Sequence, residues 1–388
     1  MRRLPSVLFI LVASCGIVRG GEPQSARVFP PAEHGKGKLT YVGSVPLLVV
    51  AGTPEEMGEQ IGVLAVKPAA ETITRTVRDT VRSQLGKRFD DFGWLAVTMA
   101  ANGVYAKFPD KYRREIEAMA VAGGVDRNIL IVANAVRDLQ PSIAGCSGLA
   151  VEMQRSATAG PLLGRNCDMG HPGNVVKLGL VVVYCPADGL PFAMATLPGL
   201  LMFGSGMNAS GLVIGFNSAS GAADKSPGFN PDGTPTMVVG RELLETCRSR
   251  QDAAKWSEQH ATMIQGIAAI CDRGSAAIVE ITPRSVALLE AAHGLAYCTN
   301  SFRSDKLRTV ETPDSRYRKL AQSERLDKLA VADVWRLLHD ANQGAATIHT
   351  LVFEPAKATM HVAFGDGQRA ASAHPMTRLD LSPWLSSP

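Results

Sequence analysis

The stretch from Gly145 to Asp168, GCSGLAVEMQRSATAGPLLGRNCD, constrains this chain more than any other. A cysteine behind a glycine opens an alternating run, Cys146 to Glu152. A turn over Ser156 to Gly160 follows, and a second apolar run ends in Arg165, Asn166 and Asp168. Two β-patterned runs around a Gly/Ser/Thr turn predict a hairpin, which returns Arg165 and Asp168 to the end of the strand where Cys146 sits. That arrangement suits a nucleophile at the start of a strand, activated by its own α-amine once the chain is cut before it. A free α-amine titrates near about 7.7 to 8.0, so at neutral pH much of it accepts the thiol proton and no external histidine is required. Gly145, lacking a Cβ, fits the residue before the cut because it leaves the bond open to the thiol.

The pattern Gly145-Cys146-Ser147, with Gly164-Arg165-Asn166-x-Asp168 on the returning strand, resembles the autoproteolytic N-terminal-nucleophile amidases and acyltransferases. Within these it is most similar to the acyl-coenzyme A:6-aminopenicillanate acyltransferase-like peptidase family C45, with bile-salt hydrolases and acid amidases as more distant relatives. The likeness runs from about Val45 to Gly365. It implies a cysteine amidohydrolase or acyltransferase that cuts itself between Gly145 and Cys146 and then acts on linear amides through an acyl-enzyme. Asp168 would orient the α-amine and Arg165 would hold the thiolate.

Three further residues join the site through the same resemblance. Gly206-Met207-Asn208-Ala209-Ser210-Gly211 is similar to a Gly-x-Asn-x-x-Gly-Leu turn whose asparagine faces the substrate; as local chemistry, Asn before a turn glycine is also plain turn chemistry. Thr299-Asn300 is similar to a position where an asparagine amide donates to the tetrahedral oxyanion, so Asn300 with Asn208 would cradle it; a buried asparagine satisfying backbone is the alternative. The family often has histidine after this asparagine, where this chain has Ser301. Asp314-Ser315-Arg316-Tyr317 resembles an element whose arginine sits near the nucleophile, the alternative being an exposed helix arginine at Arg316.

A 46% hydrophobic and 20% charged composition over 388 residues is that of an ordinary globular protein. Residues 1–20 read as an export signal: Arg2 and Arg3, then the apolar stretch Leu4 to Ala13, then small residues. Val12-Ala13-Ser14-Cys15 also resembles a bacterial lipobox that would lipidate Cys15, against ordinary cleavage near Gly20. Either way the mature enzyme is expected outside the cytoplasm, secreted, periplasmic or lipid-anchored. Without Arg2, Arg3 and Arg19 the formal charge falls from +4 to +1, which gives no electrostatic reason to expect nucleic acid. Cys146, Cys167, Cys185, Cys247, Cys271 and Cys298 form no Cys-x-x-Cys pair or zinc spacing, so most are expected as buried thiols, and no metal or cofactor is indicated.

Along the chain, residues 22–43 read as a lead-in. Thr53, Pro54 and Glu56 form a capping box that starts a long helical segment, Pro54 to Leu139, broken at Gly86, Pro109 and Gly123-Gly124. The residues from 21 to Gly145 would be the smaller fragment after the cut, and Cys146 to Pro388 the larger, the two staying associated. Strands are expected at Lys177 to Tyr184 and Pro191 to Thr196, then at Gly266 to Cys271, Ala276 to Ile281 and Val286 to Glu290. Helices are expected at Pro235 to Cys247 and Ala253 to Ala261. A last strand pair covers Ile348 to Phe353 and Thr359 to Phe364, with a loose end after Gly365. Periodicity gives an α+β fold; the resemblance implies the four-layer αββα N-terminal-nucleophile sandwich with an N-terminal helical segment.

Two other functions are compatible with the residues. Cys146 paired with a histidine such as His171 would be a papain-like protease, but that chemistry normally places the cysteine at a helix start, and here the following residues alternate like a strand. An exported binding or scaffold protein of the same shape is the other. The expected partner is a small N-acyl amide.

Overall fold

The computed structural model describes residues 28–385 apart from 86–90, 141–143, 159, 171–172 and 310–311. The expected export segment with Cys15, the helix break at Gly86 and the candidate His171 lie outside the described residues.

Three strands come first: β1 (Ala32–His34), β2 (Gly37–Val42) and β3 (Val45–Gly52). Five helices follow: α1 (Pro54–Ile61), α2 (Lys67–Leu85), α3 (Asp91–Tyr105), α4 (Asp110–Gly123) and α5 (Arg127–Leu139). The hairpin of β4 (Ala144–Val151) and β5 (Leu162–Met169) leads to β6 (Leu180–Pro186), β7 (Phe192–Thr196), β8 (Ser205–Asn208) and β9 (Val213–Ser218). Helices α6 (Thr236–Thr246) and α7 (Arg250–Gln259) precede β10 (Gly266–Cys271), β11 (Ala276–Ile281), β12 (Val286–Glu290) and β13 (Leu295–Cys298). The chain continues through α8 (Ser315–Leu320), α9 (Val331–Asp340), β14 (Thr347–Glu354), β15 (Thr359–Phe364), β16 (Thr377–Asp380) and α10 (Ser382–Leu385).

The helix signals act as local chemistry demands. Thr53 accepts from the Glu56 backbone while the Glu56 carboxylate accepts from the Thr53 N–H, with Pro54 at the first helical position. Gly124 closes α4 in the left-handed region at φ 64°, where a side chain would be strained. A second capping box, Ser249 with Asp252, starts α7 three residues before the expected Ala253.

Among the described residues the strands form two sheets. One has ten strands in the order β1-β2-β3-β6-β7-β8-β9-β10-β11-β12, and the other six in the order β13-β4-β5-β14-β15-β16. All neighbours are antiparallel except β3 and β6. Alternation along β6 shows how the layers arise: Val181 and Val183 pack with Ala150, Leu163, Leu351 and Phe353 of the other sheet. Leu180 and Val182 pack outward against Ile61, Ile116 and Leu130 of the helices. The far face of the six-stranded sheet, with Leu149, Leu162 and Val352, is covered by Val334, Leu337 and Leu338 of α9. The result is an αββα sandwich.

Two expectations at the ends are corrected. The lead-in contains β1 and β2, which extend the larger sheet from its β3 edge. The tail after Gly365 is not loose: β16 pairs with β15, and Leu379, Leu381 and Leu385 enter the layer between the sheets. Its four-residue alternation, with Arg378 and Asp380 facing out, is too short to stand out in the sequence.

Candidate active site

The β4–β5 hairpin forms in the register that places Gly145 opposite Asp168, Cys146 opposite Cys167 and Gly148 opposite Arg165. Alternation then turns Cys146, Arg165 and Cys167 into the layer between the sheets, at an end also lined by Val176 and Ile348. Arg165 is fully buried. Its Nη2 donates to Cys146 Sγ at 3.0 Å and to the Phe216 carbonyl at 2.6 Å. Nη1 donates to Ser205 Oγ at 2.8 Å, and Nε reaches Asn217 Oδ1 at 3.4 Å. Gly204 and Gly215 make room for it: a Cβ on either would lie within 2.9 Å of the Arg165 side chain.

Cys146 is thus a buried thiol among donors. A hydrogen bond from Cys167 holds it well below the usual thiol range, against the opposing effect of burial, with the charges of Arg165 and Arg137 and the Asp168 N–H acting in the same direction. Cys167 is pushed up correspondingly, by that hydrogen bond and by burial. His349, whose Nε2 lies 3.4 Å from Arg165 Nη1, is kept neutral by burial and by that cation.

The backbone of Cys146 is held as closely as its sulfur. Its N–H donates to Asn300 Oδ1 at 2.9 Å, and its carbonyl accepts from Arg316 Nη1 at 2.8 Å. Arg316 Nη2 also donates to Asn300 Oδ1 at 2.9 Å. Asn300 Nδ2 donates to the Ser218 carbonyl at 2.7 Å, so Asn300 meets the Cys146 nitrogen as an acceptor, where sequence reasoning expected an oxyanion donor. Asp168 Oδ1 accepts from Thr347 Oγ1 at 2.6 Å. Its Oδ2 has no hydrogen-bond partner among the described residues, sits 3.5 Å from Arg316 Nη1, and would be 3.5 Å from a Cβ on Gly145. Burial first, and the neighbouring Cys146 second, push the Asp168 carboxyl up to about 7.

The structure therefore brings together Cys146, Arg165, Asp168, Asn300 and Arg316. It does not bring Asn208, and that expectation is corrected. On β8, Ser205 and Met207 face the other sheet, whereas Asn208 turns outward, donating to the Leu244 and Cys247 carbonyls at 3.0 and 2.7 Å and accepting from the N–H groups of Ser210 and Leu212. It ties the end of α6 to the β8–β9 turn. The asparagine that does face the site is Asn217, on the inward side of β9, which also donates to the Thr299 carbonyl at 2.9 Å. Sequence reasoning missed it together with Arg137 and Cys167. All six described cysteines are free thiols.

A cavity of about 510 Å³ opens between α2, α5 and the strand ends and reaches Cys167, Met169, Arg137 and Ser218. Its size is that of a small-molecule site.

The model of the family described as "Acyl-coenzyme A:6-aminopenicillanic acid acyl-transferase" matches residues 155–369, more than half of the 388-residue chain. The chain belongs to this family. Among curated proteins none matches the sequence. Several solved structures are similar to the chain in structure. An N-acylethanolamine-hydrolyzing acid amidase ortholog from Caenorhabditis elegans has 14% identity and a TM-score of 0.42, covering 54% of this chain and 93% of its own. A conjugated bile acid hydrolase variant from Clostridium perfringens has 15% identity and a TM-score of 0.43, covering 61% and 93%. Penicillin V acylase from Agrobacterium tumefaciens has 13% identity and a TM-score of 0.43, covering 62% and 88%. Membership of this family makes the protein an enzyme of the acyl-transferase kind.

Proposed function

We propose that the protein cuts its own chain between Gly145 and Cys146 and then uses Cys146 as an N-terminal nucleophile on linear amides. In the self-cleavage, Cys146 Sγ attacks the Gly145 carbonyl carbon, the C–N bond breaks, and the Cys146 nitrogen takes the thiol proton. Water hydrolyses the resulting thioester to a Gly145 carboxylate and a Cys146 with free thiol and amine. The observation that carries this reading is that both reacting atoms of one residue are held by different side chains: Sγ by Arg165 at 3.0 Å and the nitrogen by Asn300 at 2.9 Å.

In turnover the α-amine accepts the thiol proton, Sγ attacks the substrate carbonyl, and the departing amine takes that proton back. Water or a second amine then releases the acyl group from sulfur, which distinguishes hydrolysis from acyl transfer. Asp168 Oδ2, which lies beside Gly145 and has an ion pair with Arg316 but no hydrogen bond among the described residues, orients the new ammonium. Arg165 holds the thiolate, Arg316 steadies Asn300 and the Cys146 carbonyl, and the cavity receives the acyl chain.

The two fragments stay associated, because helices α1 to α5 and strands β2 and β3 share the core of the larger sheet with residues after Cys146. We also propose export through residues 1–20, with Cys15 as the lipid-bearing residue if cleavage falls before it; the N-terminal sequence of protein recovered from culture medium and membranes decides between these. A papain-like site is disfavoured by Cys146 lying within a strand, away from any helix start. Release of acid from N-acyl amides tests the activity. It is expected to stop in Cys146→Ala and after alkylation at Cys146, and persistence in either would refute the assignment.

A further inference from the structure

The cavity is apolar along most of its length, where Ile73, Val77, Val132, Val136 and Leu200 line it, and its polar lining residues divide into those of α2, such as Arg75, Asp79 and Thr80, and a second group with Arg137, Gln140 and Ser218. Arg137 Nε, Gln140 Oε1 and Ser218 Oγ are each sealed from solvent and have no hydrogen-bond partner among the described residues. Buried polar groups are nearly always paired, so three unpaired ones in residues that line a single cavity mark a place where small side-chain rotations on ligand entry complete the bonding.

Their position relative to the nucleophile is set by two carbonyls. Arg137 Nη2 lies 3.5 Å from the Phe216 carbonyl, the same oxygen that accepts from Arg165, and the guanidinium sits 5.2 Å from the Phe216 ring centre. The Ser218 carbonyl accepts from Asn300 Nδ2. Arg137 and Ser218 therefore stand at the nucleophile's end of the cavity, and the apolar walls extend away from it. Arg165 already supplies a direct donor to Cys146 Sγ. The negative charge on sulfur also vanishes whenever an acyl group is attached, which removes from Arg137 the first of the opposite charges that face it and leaves the more weakly acting Asp138.

We propose that Arg137, with Gln140 and Ser218, receives a carboxylate on the amine side of the scissile amide, so that the substrates are N-acyl α-amino acids with an apolar acyl chain. This rests on the reading of Cys146 as the amidase nucleophile. With the acyl carbonyl at Sγ and the chain along the apolar walls, a carboxylate on the α-carbon of the leaving amine is a few bonds from sulfur, where the guanidinium waits. Attack by Sγ forms the thioester and breaks the C–N bond, the amino acid leaves with the proton returned from the α-ammonium, and water releases the fatty acid. A guanidinium pairs with a carboxylate through charge-assisted bonds that an alcohol cannot replace.

The test compares N-lauroyl-L-alanine with N-lauroyl-L-alaninol, which replaces the carboxylate by a neutral CH2OH, by following lauric acid release. Wild-type enzyme is expected to prefer the acid in kcat/KM by about 10-fold or more. That preference should disappear in Arg137→Gln, chiefly through KM, survive in part in Arg137→Lys, and shrink in Ser218→Ala. Because the readout is a ratio within each variant, a general loss of activity does not imitate it. Equal use of both compounds by wild type, or an unchanged ratio in Arg137→Gln, overturns the proposal. If neither compound is cleaved while iodoacetamide still alkylates Cys146 in the processed chain, the substrate class is wrong and the nucleophile stands. Absence of processing and of alkylation would sink the underlying reading instead.

Discussion

Asn300 Oδ1 accepts a 2.9 Å hydrogen bond from the backbone nitrogen of Cys146, across a sequence separation of 154 residues. A peptide N–H needs only a generic acceptor within a sheet, yet here the acceptor is a side chain that Arg316 also grips. The nitrogen that would become the chain's new amine is therefore positioned before any cut.

Removing that acceptor should slow processing. In Asn300→Leu the Cys146 N–H loses its partner, a loss worth about 1–3 kcal/mol, or about 5- to 150-fold in rate if it is felt in the transition state. A time course of fragment appearance on a denaturing gel checks this; wild-type kinetics in the variant would show that the contact is idle.

The carboxyl of Asp168 gives a pH signature. Its folded value is raised from 3.8 to about 7, mainly by burial, so the folded chain binds an extra proton between those limits. The associated stability is complete below about pH 4 and is lost as pH rises through about 7, up to about 4 kcal/mol in all. In unprocessed Cys146→Ala protein, where the Cys146 contribution is gone and burial alone raises the carboxyl, denaturant midpoints at pH 5 and pH 8 should still differ more than in Cys146→Ala/Asp168→Asn. Asp138, pushed up to about 6 by burial, contributes equally to both variants and cancels. Identical slopes would remove Asp168 from the account.

A buried ion cluster joins the two proposed fragments. Arg241 on α6 is fully buried and bonds Glu115 on α4 at 2.8 and 3.0 Å and Glu245 at 2.8 and 3.0 Å, while Lys111 and Tyr112 of α4 reach Glu245 at 2.8 and 2.9 Å. Arg241→Met leaves Glu115 buried without its cation and Glu245 with Lys111 alone, at a cost of about 3–5 kcal/mol. A lower melting temperature and separation of the fragments on size exclusion are expected; an unaltered complex would argue that apolar packing alone holds them.

Asn208 should matter for stability and not for chemistry. Asn208→Ala strands the carbonyls at the end of α6, costing about 1–3 kcal/mol, while kcat of the folded protein stays at the wild-type value. A selective fall in kcat at unchanged melting temperature would return Asn208 to the site.

The contrast between Asn208 and Asn217 shows where sequence reasoning stopped. Both flank the β8–β9 hairpin, and what separates them is which face of the sheet each side chain takes, which depends on strand limits that a Gly-rich segment does not display. The hairpin bearing Cys146, Arg165 and Asp168 was legible because its whole register lies in one contiguous alternating stretch. That same register, with Gly145 opposite Asp168, already implied Cys167 opposite Cys146, a signal present and unused. Arg137 had no such signal: it reaches the site through the packing of α5 against β9, a contact that helical periodicity does not encode. The tail strand β16 was lost for want of length.

The central claim is tested most directly by the intact mass of the purified wild-type protein beside Cys146→Ala. The account predicts two chains from wild type, one ending at Gly145 and one beginning at Cys146, and a single chain uncut at that bond from the variant. A catalytically active wild type whose bond between Gly145 and Cys146 is whole would contradict it.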